Sequence, residues 1–251
     1  MKYFESPKNP SVKKWKKLLT KKERDKTGKY LIEGFHLVEE ALKEKDLVLE
    51  IILQEDIELP STLDLSGQDI TYVSAEVMKT VSDTEAPQGI AAICEQRHAE
   101  AAITGGGQFL LVDAVQDPGN LGTMIRTADA AGMDGVILGE GSADPFNPKV
   151  IRSTQGSLFH IPVIKAELSG FIASLKEKGI PVYGTSLKGA LPFETAEKQT
   201  RFALLVGNEG KGVDDRYLAE TDQNLYIPLY GRSESLNVAV AAGILLYHLK
   251  K

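Results

Sequence analysis

Arg126 stands in TMIRTADAAG, a stretch of small and apolar residues that offers a guanidinium little local company. An arginine there needs an anion, either a carboxylate of the protein or a phosphate. Asn120 lies six residues earlier, an interval that does not place the two on one helix face. Either Asn120 precedes the helix, where it would serve as an N-cap, or one of the two is structural. A second polar group, Asn208 and Glu209, follows the apolar run LLV and sits among Gly207, Gly210 and Gly212. Glycines clustered behind a strand mark a backbone that comes close to a ligand, and a turn alone needs fewer of them. The third group is Ser235 and Asn237 in GRSESLNVAV, with Ser235 placed to cap the last helix and Asn237 inside its first turn. The chemistry these residues suit is anion binding beside a ligand held by backbone. Two familiar ligand templates fail. The phosphate loop G-x-x-x-x-G-K-[ST] finds Leu205 where its first glycine belongs, and Gly212 after Lys211. The dinucleotide fingerprint G-x-G-x-x-G meets the spacing G-x-x-G-x-G.

The elements that must position these residues fall into two halves. In the first, residues 11–26 read as a basic amphipathic helix with Val12, Trp15, Leu18 and Leu19 on one side. A strand (YLIEG), a helix (FHLVEEALKEK), two strands (LVLEIIL, ITYVS), a helix (AEVMKTV) and a strand (GIAAICE) complete a small α/β domain over 1–96. RHAEAAITGGG reads as a linker, giving 97–107 between domains. From 108 to 251 strands and helices alternate regularly, and the strands are apolar without clean alternation, as in a parallel sheet covered on both faces. The final helix, SLNVAVAAGILLYHLKK, is apolar all round and must be buried, in part against another subunit.

Composition narrows the function. The 251 residues carry a net charge of −6, yet residues 1–30 hold eleven Lys or Arg against three acids, so this arm is +8 and the remainder −14. A basic arm on an acidic body fits an RNA partner, with Lys13, Lys14, Lys16 and Lys17 as phosphate contacts; the competing reading is a solubilising helix face. The lone Cys94 argues against a thiolate metal site, the four histidines are scattered, and no apolar run reaches the roughly 20 residues that span a bilayer. The expectation is a cytoplasmic protein with no metal and no membrane contact.

Three motifs in order carry a resemblance: N-x-G-x-x-x-R-T-A-x-A-x-G at 120–132, L-V-G-N-E-G-x-G at 205–212, and I-P-x-x-G-x-x-x-S-L-N-V-x-V-A at 227–241. Together they resemble the SpoU/TrmH family of RNA ribose methyltransferases in the SPOUT superfamily. Thr154 departs from the serine common in relatives but keeps the hydroxyl. The first domain more loosely resembles the family's substrate-binding module, related to a ribosomal-protein RNA-binding fold, through LIEGFHLVEEAL. The resemblance implies an α/β/α domain whose C-terminal segments form a deep trefoil knot, a fold that general topology rules essentially exclude. It implies S-adenosylmethionine as the ligand of the glycine loop, met by Thr185, Gly207, Asn208, Ile227 and Leu236. It implies methylation of a ribose 2′-hydroxyl in ribosomal or transfer RNA by a homodimer joined through the C-terminal domain. Arg126 would be the central catalytic residue, with Asn120, Glu209, Ser235 and Asn237 orienting it or the substrate. A related base methyltransferase, a catalytically silent RNA-binding protein and a nicotinamide-dependent oxidoreductase are the alternatives. The first usually lacks the S-L-N signature, the second would tolerate loss of Arg126, Glu209 or Asn237, and the third needs the fingerprint that fails.

Overall fold

The computed structural model describes residues 2–97 and 107–251, which divide into two compact units. Most of the linker expected at 97–107, and His98 with it, lies outside the described residues. The first unit comprises residues 1–97 together with 146–159. The second comprises 98–145 and 160–251. A cut at 96 and 108 therefore leaves out a return of the chain, because the segment from Phe146 to Phe159 packs with the first unit.

The first unit is a five-stranded mixed sheet in the order β1-β4-β3-β5-β2. Its strands are β1 (Lys2–Phe4), β2 (Lys29–Glu33), β3 (Val48–Gln54), β4 (Ile70–Val73) and β5 (Ile90–Glu95). Helices α1 (Pro10–Lys17), α2 (Lys21–Thr27), α3 (Phe35–Leu42) and α4 (Ala75–Val81) cover it. The single helix expected over 11–26 is broken between Leu18 and Thr20. Buried Arg24 donates to the Leu18 carbonyl (2.9 Å), and Thr20, in an extended conformation, turns its hydroxyl to the Lys17 carbonyl. The last carbonyls of α1 thus find partners outside the helix. Val12, Trp15 and Leu18 are buried with Ile52, Val73, Val77 and Met78. Trp15 donates its indole N–H to Glu50 (3.2 Å), so it anchors the helix instead of offering a ring to solvent. Lys13, Lys14, Lys16 and Lys17 fill the opposite, exposed face.

The second core of this unit takes in Phe146 and the helices α6 (Pro148–Thr154) and α7 (Ser157–His160), whose Ile151, Leu158 and Phe159 join Tyr30, Ile51 and Leu53. Thr154 is fully buried with its hydroxyl on the Ile151 carbonyl (2.7 Å), which is the use a serine hydroxyl would also serve.

The second unit is a seven-stranded sheet in the order β10-β12-β9-β11-β6-β7-β8, and every pairing in it is parallel. The strands are β6 (Gln108–Val112), β7 (Gly135–Leu138), β8 (Val163–Lys165), β9 (Val182–Thr185), β10 (Leu191–Pro192), β11 (Phe202–Val206) and β12 (Gln223–Tyr226). All five residues of β11 are buried, with Phe202 to Val206 in register against Gln108 to Val112. Both faces are covered, by α5 (Pro118–Ala130), α8 (Leu168–Glu177), α9 (Asp215–Leu218) and α10 (Val238–Leu249). That coverage is why these strands read as unbroken apolar runs.

Candidate active site

Four loops leave the C-terminal ends of adjacent strands β6, β11, β9 and β12, the end at which open α/β sheets bind ligands. The loop after β11 is bound to itself. Asn208 and Gly212 exchange two backbone hydrogen bonds (3.0 and 2.9 Å), and the Asn208 Oδ1 accepts from the N–H groups of Gly210 and Lys211. Asn208 Nδ2 donates to the Ala114 carbonyl (2.9 Å) and so ties the loop to the end of β6, where Ala114 holds a positive φ of 51°. A Cβ on Gly207 would lie 2.2 Å from the Val213 nitrogen and 2.3 Å from the Gly212 carbonyl carbon. The first glycine of the cluster is therefore demanded by the chain's own backbone folding over it, whatever ligand its loop also meets. Gly210 has only the Asn208 Oδ1 nearby, at 3.6 Å.

Glu209 turns the other way. Its carboxylate accepts from Asn120 Nδ2 (3.0 Å) and from the backbone N–H of Asp117 (3.3 Å), with Gln116 N–H at 3.4 Å. Asn120 Oδ1 in turn accepts from Asn237 Nδ2 (2.8 Å), and Asn237 Oδ1 accepts from the N–H groups of Ala239 and Val240. The direction of every link is set by the first. A carboxylate accepts only, so Asn120 must present its NH₂, and its oxygen is left for the Asn237 NH₂. Three residues more than a hundred positions apart at the extremes thus join the loop after β11 to the N-terminus of α10. Burial alone pushes the Glu209 carboxyl up. The bonds from Asn120, its own N–H, Asp117 and Gln116 outweigh that and hold it below the usual carboxylate range.

Two capping expectations are corrected by the same geometry. Asp117 caps α5 through the Asn120 N–H (2.8 Å), and Asn120 sits in the first helical turn with its side chain free to reach Glu209. Asn237, not Ser235, caps α10, because α10 begins at Val238. The Ser235 side chain is exposed, and its carbonyl accepts from Ser233 (2.8 Å).

A cavity of about 610 Å³ lies among the loops after β9, β11 and β12. Thr185, Gly207, Asn208, Ile227 and Leu236 all line it, as do Glu209, Ser235 and Asn237. Asn120 and Arg126 do not. Arg126 is exposed on α5 and makes no hydrogen bond or ion pair among the described residues. The sequence did not single out Lys188, Lys211, Leu218, Leu229 and Glu234, which also line the cavity. Their shared signal is position: most follow closely on a strand end in the β9, β11 and β12 group. The three described histidines make hydrogen bonds outside the cavity. His36 meets the Gln155 carbonyl, His160 the Asp129 carboxylate and His248 the Ala196 carbonyl.

Residues 107–247 match the model of the SpoU rRNA Methylase family, more than half of the chain. The chain belongs to that family. Residues 9–92 match the MRM3-like substrate binding domain. Over 250 residues the chain is 54% identical to the 23S rRNA (guanosine(2553)-2′-O)-methyltransferase RlmP of Bacillus subtilis (strain 168), covering 100% of both chains. An AdoMet-bound rRNA methyltransferase from Sinorhizobium meliloti superposes with a TM-score of 0.87 at 34% identity, covering 99% of this chain and 97% of that one. The SpoU methyltransferase AviRb from Streptomyces viridochromogenes, in complex with the cofactor AdoMet, gives 0.87 at 26% identity over 96% and 97%.

The SpoU domain here has a cavity that fits S-adenosylmethionine on its own terms. Its volume is within the roughly 300–1,000 Å³ of small-molecule sites. Val213, Leu218, Leu225, Ile227 and Leu229 supply an apolar slot for a flat ring. Among the described residues the backbone N–H groups of Ile227, Leu229 and Leu236 make no loop hydrogen bond, which leaves donors available beside the cavity.

Proposed function

We propose that this chain methylates the 2′-hydroxyl of a guanosine in 23S ribosomal RNA, the nucleotide equivalent to that named for its Bacillus subtilis relative. The observation that carries the reading is 54% identity over the whole of both chains. Bound S-adenosylmethionine supplies a methyl group on positively charged sulfur. The protein's part is to hold acceptor oxygen and methyl carbon in line and to ease loss of the hydroxyl proton. Arg126 remains protonated, since a guanidinium pKa exceeds about 12. In this reading it grips the phosphate beside the target ribose and steadies the forming alkoxide. Asn237, held by Asn120 and Glu209, fixes the start of α10 beside the cavity, with Ser235 facing the substrate. Thr185, Gly207, Asn208, Ile227 and Leu236 hold the cofactor.

Mapping 2′-O-methyl sites in ribosomal RNA from a deletion strain tests the substrate, and loss of one guanosine methylation that returns on complementation is the expected result. Calorimetric titration with S-adenosylmethionine and with NAD tests the ligand. Binding of NAD without S-adenosylmethionine would end the proposal.

The reading includes the knot. Support comes from the C-terminus, where Leu249 and Lys251 hydrogen-bond with Gln199 in the segment that precedes β11. It also includes a homodimer. Val240, Ile244 and Tyr247 are exposed at i, i+4 and i+7 of α10, the stripe that a partner helix buries. Sedimentation at micromolar concentration should give a dimer and Ile244→Glu a monomer; a wild-type monomer contradicts this assembly. No helix of the described residues is long and apolar enough to cross a membrane.

The arm of the first unit is read as an RNA contact. Replacing Lys13, Lys14, Lys16 and Lys17 by Ala should reduce the log–log salt slope of RNA binding by roughly 3 if each lysine neutralises one single-stranded phosphate. All four are exposed, so the melting temperature should hold. An unchanged slope assigns them to solubility.

A further inference from the structure

The loop from Ile227 to Leu236 forms one side of the cavity. Its side chains part in two directions. Leu229 turns into the cavity, and Tyr230, the next residue, stands 91% exposed, the most exposed of the large apolar side chains. A phenol ring so placed contributes almost nothing to the fold, and its hydroxyl makes no hydrogen bond among the described residues. Gly231 follows it and has nothing within 4 Å of an added Cβ, so the chain here runs in open space. Two residues on stands Arg232, exposed and without an ion-pair partner. Lys188 and Lys211, on the neighbouring loops that line the same cavity, are likewise exposed and unpaired. The same cavity is also lined by Glu209, Asp215 and Glu234, yet Lys188 and Lys211 pair with none of them among the described residues and stay available to phosphate.

Flat aromatic rings beside cations are how single-stranded RNA is held, bases stacking on the ring while phosphates meet Lys and Arg. A protein partner fits less well. The exposed chain neighbours of Tyr230 are Leu229 on one side and Gly231, Arg232, Ser233 and Glu234 on the other. Leu187 and Leu236 add exposed apolar surface on the cavity wall, but the regularly spaced apolar stripe of the second unit lies on α10. We propose that Tyr230 is a stacking platform for an unpaired base adjacent to the target nucleotide, with Lys188, Lys211 and Arg232 gripping the phosphates that flank it. The substrate class that follows is RNA whose target lies in a loop or an opened strand, since a base held in a duplex cannot reach the ring. This inference rests on the methyltransferase reading for the word target, but the stack itself is a matter of binding.

The experiment uses full-length protein and a target-site RNA oligonucleotide carrying 2-aminopurine next to the target, whose fluorescence reports stacking without any methyl transfer. Wild type should shift the fluorescence, Tyr230→Ala should abolish the shift, and Tyr230→Phe and Tyr230→Trp should restore it. In steady-state assays Tyr230→Ala should raise the KM for RNA about tenfold, the scale of one base–aromatic stack, with affinity for S-adenosylmethionine and melting temperature unchanged. Lys188→Ala, Lys211→Ala and Arg232→Ala should each flatten the salt slope of RNA binding. An unaltered fluorescence shift and KM in Tyr230→Ala would overturn the proposal. So would conversion of a dimer to a monomer by Tyr230→Ala, which would make the ring an interface residue. Stacking without methyl transfer by wild type would instead sink the proposed function and leave the platform standing.

Discussion

Arg126→Ala should lower methyl transfer by about 10² or more, the scale of losing a positioned charge-stabilising group, while melting temperature and S-adenosylmethionine affinity stay near wild type. The structure sharpens this expectation, because Arg126 makes no ion pair among the described residues and Asp129, three residues on along α5, meets His160 instead. Glu209, the carboxylate with which Arg126 might have paired, is already committed to Asn120 and the N–H groups of Asp117 and Gln116. The hydroxyls beside Arg126 on α5 are committed as well, Thr123 to the Gly119 carbonyl and Thr127 to the Thr123 carbonyl. An exposed guanidinium with no partner contributes little to folding, so its removal should be silent in a melt. Arg126→Lys should recover little activity, because an ammonium cannot reproduce the planar two-pronged grip on a phosphate. Melting curves, calorimetry and single-turnover transfer on one purified variant separate the outcomes. A lower melting temperature together with weaker cofactor binding would make Arg126 a strut. Near-normal transfer would take it out of the mechanism.

The sequence disclosed what depends on local pattern and hid what depends on meetings across the chain. The strands of the second unit were legible because a parallel sheet buries both faces, and FALLV or QFLLV has no other stable use. Caps are ambiguous in sequence where several candidates lie close together. Asp117, Ser235 and Asn237 are all competent caps, and only the fold decides that α5 starts at Pro118 and α10 at Val238. The break in the N-terminal helix was invisible because its cause is a buried arginine that amphipathic spacing treats as one more surface charge. Strands as short as β1 and β10 carry too few residues for any period to register. In the site, the residue types of Asn120, Glu209 and Asn237 stood out, yet their mutual bonding did not, since it spans separations of 89 and 117 residues. The cavity wall at Lys188 and Leu218 lies outside the three motifs, Leu229 falls on a variable position of the third, and all three are defined only by which strands lie side by side.

Gly207→Ala is expected to have the largest effect on stability of any single methyl group added to this loop. The new Cβ would fall 2.2 Å from the Val213 nitrogen, 2.3 Å from the Gly212 carbonyl carbon and 2.4 Å from its oxygen, all backbone atoms that no rotamer change can clear. Relief requires the segment 212–214 to lift, and three sets of bonds oppose that movement. Gly212 is paired twice with Asn208, Asn208 is tied to the Ala114 carbonyl, and the Asp214 N–H donates to the nearly buried Asp113 carboxylate (2.8 Å). Overpacking against yielding side chains costs about 1–3 kcal/mol, and a backbone clash belongs at or above the top of that range. In a chain of this size about 3 kcal/mol lowers the melting temperature by roughly 6–12 °C. Because Gly207, Asn208 and Glu209 also line the cavity, the lifted loop should lose S-adenosylmethionine binding at temperatures where the protein is still folded. Gly210→Ala is the matched control. Its nearest neighbour is the Asn208 Oδ1 at 3.6 Å and its φ is not positive, so stability should change little. Equal melting temperatures and equal cofactor affinities for the two variants would show that the loop yields freely. In that case the glycine at 207 would have to be explained by the approach of a ligand after all.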